Sequence, residues 1–296
     1  MRRVLFVCIL LAACKTIPPV DPPEFDYPGL ARLAETAPGR TIPLTIQRGA
    51  NLHPVSSQTG FLFYSSNRDG SGDIWMRDLH NTVAFPVIKH PAEQGKPAVP
   101  LNGQKLAFVS FDTDAGGDIR IVEIKPDSII KDSLAGSTPP NLWDSSDSLS
   151  EQVVQASKQL PPACRGAFAE TDPVFSGDGK YLYYVSDRCT PGTFNIWRME
   201  LKGVDLKGTP EIISQKGGVQ PALSYDGKRI TYVSYRSGHA EIYVQDLQTR
   251  QEILVRTGGG ILQYPALSPD GAIVFYIAVR EDTNQNGSLD AMDKAG

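Results

Sequence analysis

The sequence predicts an all-β protein, a β-propeller of four-stranded blades. A tight-turn glycine recurs along the chain, and a short run of β-branched and aromatic residues follows each turn. The turn glycines are Gly60, Gly103, Gly179, Gly227 and Gly271. Apart from one longer step they lie 43 to 48 residues apart. A repeat of this length with short strands is typical of propeller blades.

Each repeat contains the residue types that such a blade needs. Asp-Gly or Asn-Gly supplies the positive φ of a tight hairpin turn, as at Gly179 and Gly227. The strand after the turn, for example Tyr181 to Val185, suits a sheet that is buried on both faces. A later strand alternates, as in Ile242 to Leu247. One sheet cannot bury both of its faces alone, so the blades are expected to stack around an axis.

The repeated pattern is Pro-x-x-Ser-x-Asp-Gly, then Ser-x-Arg, then Asp-Ile-Trp/Tyr. It resembles the TolB-like propeller repeat, which also occurs in the propellers of dipeptidyl and prolyl peptidases. The resemblance covers about residues 42–281. The repeats depart from it at Thr59, at Asp112 (where arginine is usual) and at Arg120 (where an aromatic residue is usual).

About five repeats are visible, and the last one is incomplete because the chain stops at Gly296 before its Ile-Trp strand. Either a truncated chain or a partial, open propeller is expected for the domain of residues 41–296. The resemblance implies six or more blades in a full version. It also implies that a strand at Thr41 to Ile46 completes the final blade.

Acidic or amide side chains recur at one repeat position. These are Asp73, Asp118, Asn195 and Glu241. We interpret them as structural groups that hydrogen-bond neighbouring turns. The arginines that recur just before them, Arg68, Arg188 and Arg236, are expected to pair with these acids. His53, which precedes Pro54, is expected to pack against or cap a strand.

The N-terminus has the pattern of a secretory signal, with two arginines and then an apolar run too short to span a bilayer. Leu11-Ala-Ala-Cys14 resembles the lipobox of bacterial lipoproteins. That resemblance implies a signal peptide over residues 1–13, lipid on Cys14, and, from Lys15, an outer-membrane address facing the periplasm. The alternative is an ordinary signal whose cleavage site contains a cysteine. Residues 14–40 are rich in proline and read as a linker.

The composition limits which classes of partner are expected. The apolar content is 41% and the formal net charge is −4, or −6 once Arg2 and Arg3 leave with the signal. With no basic run, nucleic acid is not an expected partner. After loss of Cys8 and lipidation of Cys14, Cys164 and Cys189 remain, and an oxidising compartment favours a disulfide between them. The alternative is two separate buried thiols.

Residues 125–170 form an insertion rich in Ser, Asp and Pro. A helix is predicted over about 149–159, with Ser148 and Glu151 as a capping-box pair. Such an insertion either binds a partner or decorates the rim of the propeller.

A calcium-like loop is predicted over residues 282–293. Its oxygen ligands, at the spacing of a calcium loop, would be Asp282, Asn284, Asn286, Ser288 (through its carbonyl), Asp290 and Asp293. It resembles dockerin-type loops, which also close with Asp. A bound Ca²⁺ would have a structural role. The alternative is a polar hairpin loop without metal.

No catalytic motif is visible, neither a Gly-x-Ser-x-Gly elbow nor a metal-hydrolase signature. We therefore expect a non-catalytic, lipid-anchored propeller of the cell envelope that binds a protein or peptide, as the resemblance to TolB implies. One alternative is a propeller that supports a hydrolase or peptidase domain. Another is a periplasmic propeller that binds sugars or peptidoglycan. An aromatic cluster around the central funnel would favour sugar binding, and a smooth polar funnel with an apolar patch on the rim would favour the scaffold.

Overall fold

The computed structural model describes residues 49–79, 84–125, 128–129, 131, 141–156, 160–164, 167–257 and 260–280. The signal peptide, Cys14, the linker, the strand at Thr41 to Ile46 and the calcium-like loop 282–293 lie outside these residues. No helix in the described ranges is long and apolar enough to cross a membrane.

The described chain forms four antiparallel four-stranded sheets and one two-stranded sheet, which confirms the predicted all-β architecture with an incomplete last repeat. Blade 1 consists of β1 (Asn51–Ser56), β2 (Phe61–Ser66), β3 (Asp73–Asp78) and β4 (Ala84–Ile88). Blade 2 consists of β5 (Gln94–Ala98), β6 (Lys105–Ser110), β7 (Asp118–Glu123) and β8 (Asp147–Ser148). Blade 3 consists of β9 (Glu170–Phe175), β10 (Tyr181–Ser186), β11 (Asn195–Lys202) and β12 (Asp205–Ile212). Blade 4 consists of β13 (Val219–Leu223), β14 (Arg229–Ser234), β15 (Glu241–Asp246) and β16 (Glu252–Thr257). Blade 5 consists of β17 (Ile261–Leu267) and β18 (Val274–Val279).

Each core cluster between blades joins one sheet to the next. Phe63 of blade 1 shares a buried cluster with Phe108 of blade 2. Tyr183 of blade 3 shares one with Tyr232 of blade 4. The clusters between blades 2 and 3 and between blades 4 and 5 are built in the same way. Burial of one such large apolar side chain contributes about 1.5–3 kcal/mol, so the stacked faces carry most of the stability.

The insertion contains more secondary structure than the sequence predicted. It separates the third strand of blade 2 from the fourth, the two-residue β8. One helix, α1 (Leu149–Ala156), follows, and short 3₁₀ turns lie at Trp143–Ser145 and Pro162–Cys164. The Ser148 hydroxyl accepts a hydrogen bond from the Glu151 N–H at 3.1 Å, which is the predicted N-cap. Residues 157–159 of the predicted helix lie outside the described residues.

A disulfide joins Cys164, at the end of the insertion, to Cys189, in the β10–β11 loop, across 25 residues of sequence. A bridge that closes a loop of this length typically stabilises a fold by about 2–4 kcal/mol, largely through the unfolded chain. It therefore fixes the end of the insertion to blade 3.

Candidate functional site

The first strand of every blade is its innermost strand. β1, β5, β9, β13 and β17 contact one another in sequence, whereas the fourth strands lie at the outer edge of their sheets. The side chains of the first strands therefore determine the chemistry along the propeller axis.

Every inner strand carries a bulge at the same repeat position, the residue before a proline. The five residues are His53 (φ 51°), Lys96 (φ 49°), Asp172 (φ 49°), Gln220 (φ 54°) and Tyr264 (φ 48°). Strand pairing is interrupted at each of them. None is glycine, and a following proline disfavours the helical conformations of the preceding residue. Such conformations cost about 1–3 kcal/mol each and persist only where the surrounding structure enforces them. We call these five residues the axial ring.

Hydrogen bonds connect consecutive members of the axial ring. The Lys96 ammonium donates to Asp172 Oδ1 at 2.6 Å and to Thr171 Oγ1 at 2.7 Å. The Gln220 N–H donates to Asp172 Oδ2 at 3.4 Å. The Tyr264 N–H donates to Gln220 Oε1 at 2.8 Å. A continuous polar chain therefore runs from blade 2 to blade 5.

His53 extends this polar surface to blade 1, where its Nδ1 lies 3.4 Å from Ser65 Oγ. Burial lowers the pKa of His53, the positive charge of Lys96 lowers it further, and Asp172 opposes both effects. His53 is therefore neutral near pH 7. Because Lys96 and Asp172 cancel each other, the ring is polar with almost no net charge.

The turns between the first and second strands bring the blades together at one end of the inner strands. In three turns a serine hydroxyl donates to an aspartate two residues on, at 2.7 Å in Ser176–Asp178 and Ser224–Asp226 and at 2.6 Å in Ser268–Asp270. Gln58, in the blade 1 turn, donates to the Tyr225 hydroxyl of blade 4 at 2.7 Å. This bond links non-neighbouring blades at that end of the axis.

The recurring acidic and amide side chains have the predicted structural role at two of their four positions. Asp73 accepts from the His90 N–H at 3.3 Å, and Asn195 accepts from the Gly217 N–H at 3.0 Å, each in a neighbouring turn. Glu241 instead accepts from the Tyr243 hydroxyl at 2.8 Å.

The expected pairing of Arg68, Arg188 and Arg236 with these acids was wrong. Arg68 lies over the Trp75 ring at 4.0 Å, and Arg236 lies over the Tyr243 ring at 3.9 Å. Arg236 also pairs with Glu252 at 2.8 Å. A guanidinium reaches the aromatic face on the adjacent strand and gains a cation–π contact there.

The two departures of blade 2 compensate for each other. Arg120 occupies the aromatic position and lies 3.9 Å from Asp112, which occupies the arginine position. Its stacking partner comes from the insertion, since its guanidinium lies 4.3 Å from the Trp143 ring centre. The insertion thus supplies the aromatic ring that this repeat lacks.

Arg188 of blade 3 forms a buried ion pair with Glu170 at 3.0 Å, and both side chains are almost fully buried. Arg188 also donates to the Cys164 carbonyl at 3.0 Å, and Ser150 of α1 donates to Glu170. Burial raises the pKa of Glu170, whereas Ser150 and Arg188 oppose that shift. The network lies beside a cavity of about 480 Å³ that is walled by α1 and the β6–β7 loop.

The predicted ligand residues of the calcium loop and the lipid site at Cys14 cannot be placed, because they lie outside the described ranges. Within those ranges, no group of three or more His, Cys, Asp or Glu side chains is arranged to hold a metal ion. Sequence reasoning missed the axial ring. All five repeats contain a residue followed by proline at this position, which was the available signal. The left-handed conformation of that residue, however, arises from the bulge in the paired sheet.

We predict that the pKa of His53 reports the ring electrostatics. Lys96→Met should raise this pKa, because it removes a nearby positive charge, and Asp172→Asn should lower it. Histidine NMR resonances followed against pH measure both shifts, with His239 on the rim as an internal control. Since the folded-state pKa lies below the ordinary 6.5, stability should fall as pH drops below that value. Identical His53 titrations in all three proteins would contradict the ring geometry.

Comparisons with known proteins agree with this architecture. The chain is 35% identical over 71 residues to the Tol-Pal system protein TolB of Hahella chejuensis (strain KCTC 2396), a match that covers 24% of this chain and 16% of that protein. No family model matches the chain.

Two solved structures extend the similarity over most of the described chain. TolB from Acinetobacter baumannii superposes with a TM-score of 0.60 at 19% identity, covering 81% of this chain and 51% of that one. A puromycin-hydrolyzing peptidase of Mycobacterium tuberculosis superposes with a TM-score of 0.52 at 16% identity, covering 82% of this chain and 36% of that one. The chain thus spans about half of the former and about a third of the latter. These structures confirm the β-propeller fold that the repeat predicts, and a 71-residue segment of the chain is similar in sequence to TolB.

Proposed function

We propose that this chain is a lipid-anchored interaction module of the bacterial cell envelope. Its axial ring binds a protein or peptide segment, and it carries out no chemistry of its own. The observation that carries the proposal is the ring, in which five blades each hold a strained, non-glycine residue at the same axial position. Backbone strain of this kind concentrates at functional sites.

The chemistry of the ring suits a polypeptide. Amide, phenol, imidazole and a neutralised ammonium–carboxylate pair can donate to and accept from peptide groups. A strongly charged ligand would gain little from the ring, because the ring has almost no net charge of the opposite sign to attract it. The TolB relative is named as a member of the Tol-Pal system, which agrees with an envelope protein as partner.

Two other functions remain as alternatives. The similarity to the hydrolyzing peptidase favours a propeller that supports a hydrolase domain. A sugar or peptidoglycan reader would use stacked aromatic rings, yet Tyr264 supplies the only phenol among the five axial residues. The ring therefore supports peptide binding over sugar binding.

Site-specific photo-cross-linking tests the ring. A photoreactive phenylalanine analogue in place of Tyr264, which is 47% exposed, should cross-link to a polypeptide in envelope preparations. The same analogue at Tyr235, 55% exposed but outside the inner strands, is the matched control. Adding Gln220→Ala should lower the yield roughly fivefold, since one hydrogen bond contributes about 1 kcal/mol.

Equal labelling at Tyr264 and Tyr235 would contradict peptide binding at the ring. Exclusive labelling of glycan fragments would favour the alternative of a sugar-binding or peptidoglycan-binding propeller.

The proposed anchor is lipid on Cys14, with an outer-membrane address indicated by Lys15. We expect Cys14→Ser to move the protein from the membrane fraction to the soluble periplasmic fraction and to abolish incorporation of labelled palmitate. Two acyl chains or more are needed for stable anchoring, so loss of the thiol should release the chain completely. Cys8→Ser, within the signal, should leave both readouts unchanged. A Cys14→Ser protein that stays membrane-bound would refute the anchor.

We also propose that loop 282–293 binds Ca²⁺ as a structural cofactor through Asp282, Asn284, Asn286, Ser288, Asp290 and Asp293. The thermal midpoint should rise with calcium and fall with chelator, because a ligand at a hundred times its Kd stabilises the folded state by about 2.7 kcal/mol. Asp282→Ala should abolish the rise, whereas Asp205→Ala on β12 should preserve it. A midpoint indifferent to calcium would leave an ordinary hairpin loop.

A further inference from the structure

The two ring nitrogens of His53, the blade 1 member of the axial ring, differ in their surroundings. Nδ1 lies 3.4 Å from Ser65 Oγ. Nε2 makes no hydrogen bond within the described part of the chain, and it is not buried. The innermost strand of blade 1 therefore presents one polar atom that a ligand can reach and that the fold leaves unused.

The Ser65 hydroxyl determines which nitrogen of His53 carries the proton. A serine hydroxyl has a single proton to donate. That of Ser65 is donated to the Leu52 carbonyl at 3.1 Å, so Ser65 Oγ can only accept in its contact with His53 Nδ1. Nδ1 therefore carries the proton, and in a neutral imidazole the other nitrogen is then bare. His53 Nε2 is thus a free hydrogen-bond acceptor.

The groups around His53 keep it neutral. It faces Ser65 on β2, Lys96 on β5 and Asp172 on β9. Burial lowers the pKa of His53, the charge of Lys96 lowers it further, and the smaller effect of Asp172 does not offset them. A proton on Nε2 would add a second positive charge beside the Lys96 ammonium, so the bare acceptor is the form present at neutral pH.

Other members of the axial ring have unused donors. Lys96 has three ammonium protons and donates to Asp172 and Thr171, which leaves one proton for a ligand. Gln220 Oε1 accepts from the Tyr264 N–H, whereas the Gln220 amide protons have no partner among the residues described. Both carboxylate oxygens of Asp172 already accept a bond. The ring therefore combines free donors on blades 2 and 4 with the His53 acceptor on blade 1.

These side chains lie close enough to act on one ligand. Besides burial, the charge of Asp172 on blade 3 affects the pKa of both His53 on blade 1 and Tyr264 on blade 5. Neither blade 1 nor blade 5 is next to blade 3 in the sequence, so the side chains converge across the axis. A polypeptide backbone carries one N–H and one C=O for each residue other than proline. One segment in the axis can thus donate to blade 1 and accept from blade 2 or blade 4.

We propose that His53 Nε2 accepts a hydrogen bond from an N–H group of the polypeptide in the axial ring, so that the ring binds its ligand only while His53 is neutral. This inference rests on the proposed function and adds the recognised group and a pH limit to it. Protonated His53 has two N–H donors and no acceptor, so it opposes the N–H of the ligand. Binding therefore weakens as pH falls through the His53 pKa, and by linkage the bound polypeptide lowers that pKa.

The protein without ligand tests the position of the proton. Nitrogen–proton NMR correlation spectra of the histidine rings, recorded above the His53 pKa, distinguish a bare ring nitrogen from a protonated one. We expect a bare Nε2 and a protonated Nδ1 in His53, and a mixture of the two tautomers in Ser65→Ala. A proton on Nε2 of His53 in the unsubstituted protein would overturn the proposal.

Photo-cross-linking from the analogue at position 264 in envelope preparations tests the role in binding. The yield of cross-linked polypeptide should fall roughly fivefold on acidification, starting at the His53 pKa measured by NMR, as expected for one lost hydrogen bond. His53→Gln, whose amide oxygen accepts at every pH, should keep the yield and remove its pH dependence. His53→Phe should give the low yield at every pH.

The axial ring itself indicates that both substitutions suit the backbone, because Gln220 and Tyr264 adopt the same left-handed conformation as His53. His239→Gln on the rim is the matched control and should leave the pH profile unchanged. Equal yields with His53 and His53→Phe, or a pH dependence that persists in His53→Gln, would overturn this proposal and leave peptide binding at the ring intact. A chain with His53 that labels no polypeptide at any pH would contradict the proposed function, and this inference with it.

Discussion

Burial of both faces of a sheet by its neighbours is the constraint on which the rest of this structure depends. β2 is buried along its whole length, and β6, β10 and β14 are buried at every residue after the first. A strand of this kind has no solvent face, so no blade can be stable by itself. The loops and outer strands can therefore differ from one repeat to the next, but each repeat must keep the apolar run after its turn.

The stacked blades also explain how five strained residues can be kept. An isolated strand would relax a left-handed residue before proline, at a gain of about 1–3 kcal/mol. Here the flanking strand residues pair with the second strand on both sides of each bulge, and neighbouring inner strands fix its position. With the backbone fixed, the side chain at that position can change without disturbing the core. The residues that line the axis are thus distinct from the residues whose burial stabilises the fold.

Local signals in the sequence predicted the features that depend on neighbouring residues. The Ser-x-Asp-Gly turns and the Ser148 cap are short-range arrangements, and both have the predicted form. The order of the strands followed from the spacing of the turns. The TolB-like resemblance then fixed the architecture more firmly than periodicity alone could.

The features that were missed depend on tertiary contacts. The partners of the repeat arginines could not be predicted, because a guanidinium chooses between an acid and an aromatic ring by orientation, which a sequence does not specify. Arg120 is the clearest example, since its ring comes from Trp143 in the insertion. The axial ring was missed for a related reason. A residue before proline favours extended conformations, and only the bulge in a paired sheet reverses that preference.

The insertion protects outer sheet edges that the repeat itself leaves exposed. Repetition produces an outer strand with unpaired backbone groups in every blade, and each is a potential pairing surface. Residues 141–142 cover the edge of blade 1, β8 ends blade 2, and Gln152 of α1 bonds the edge of blade 3. The disulfide and the buried Arg188–Glu170 pair hold this segment against blade 3. Its described contacts do not extend to β16, the outer strand of blade 4, which instead carries a bulge at Val255.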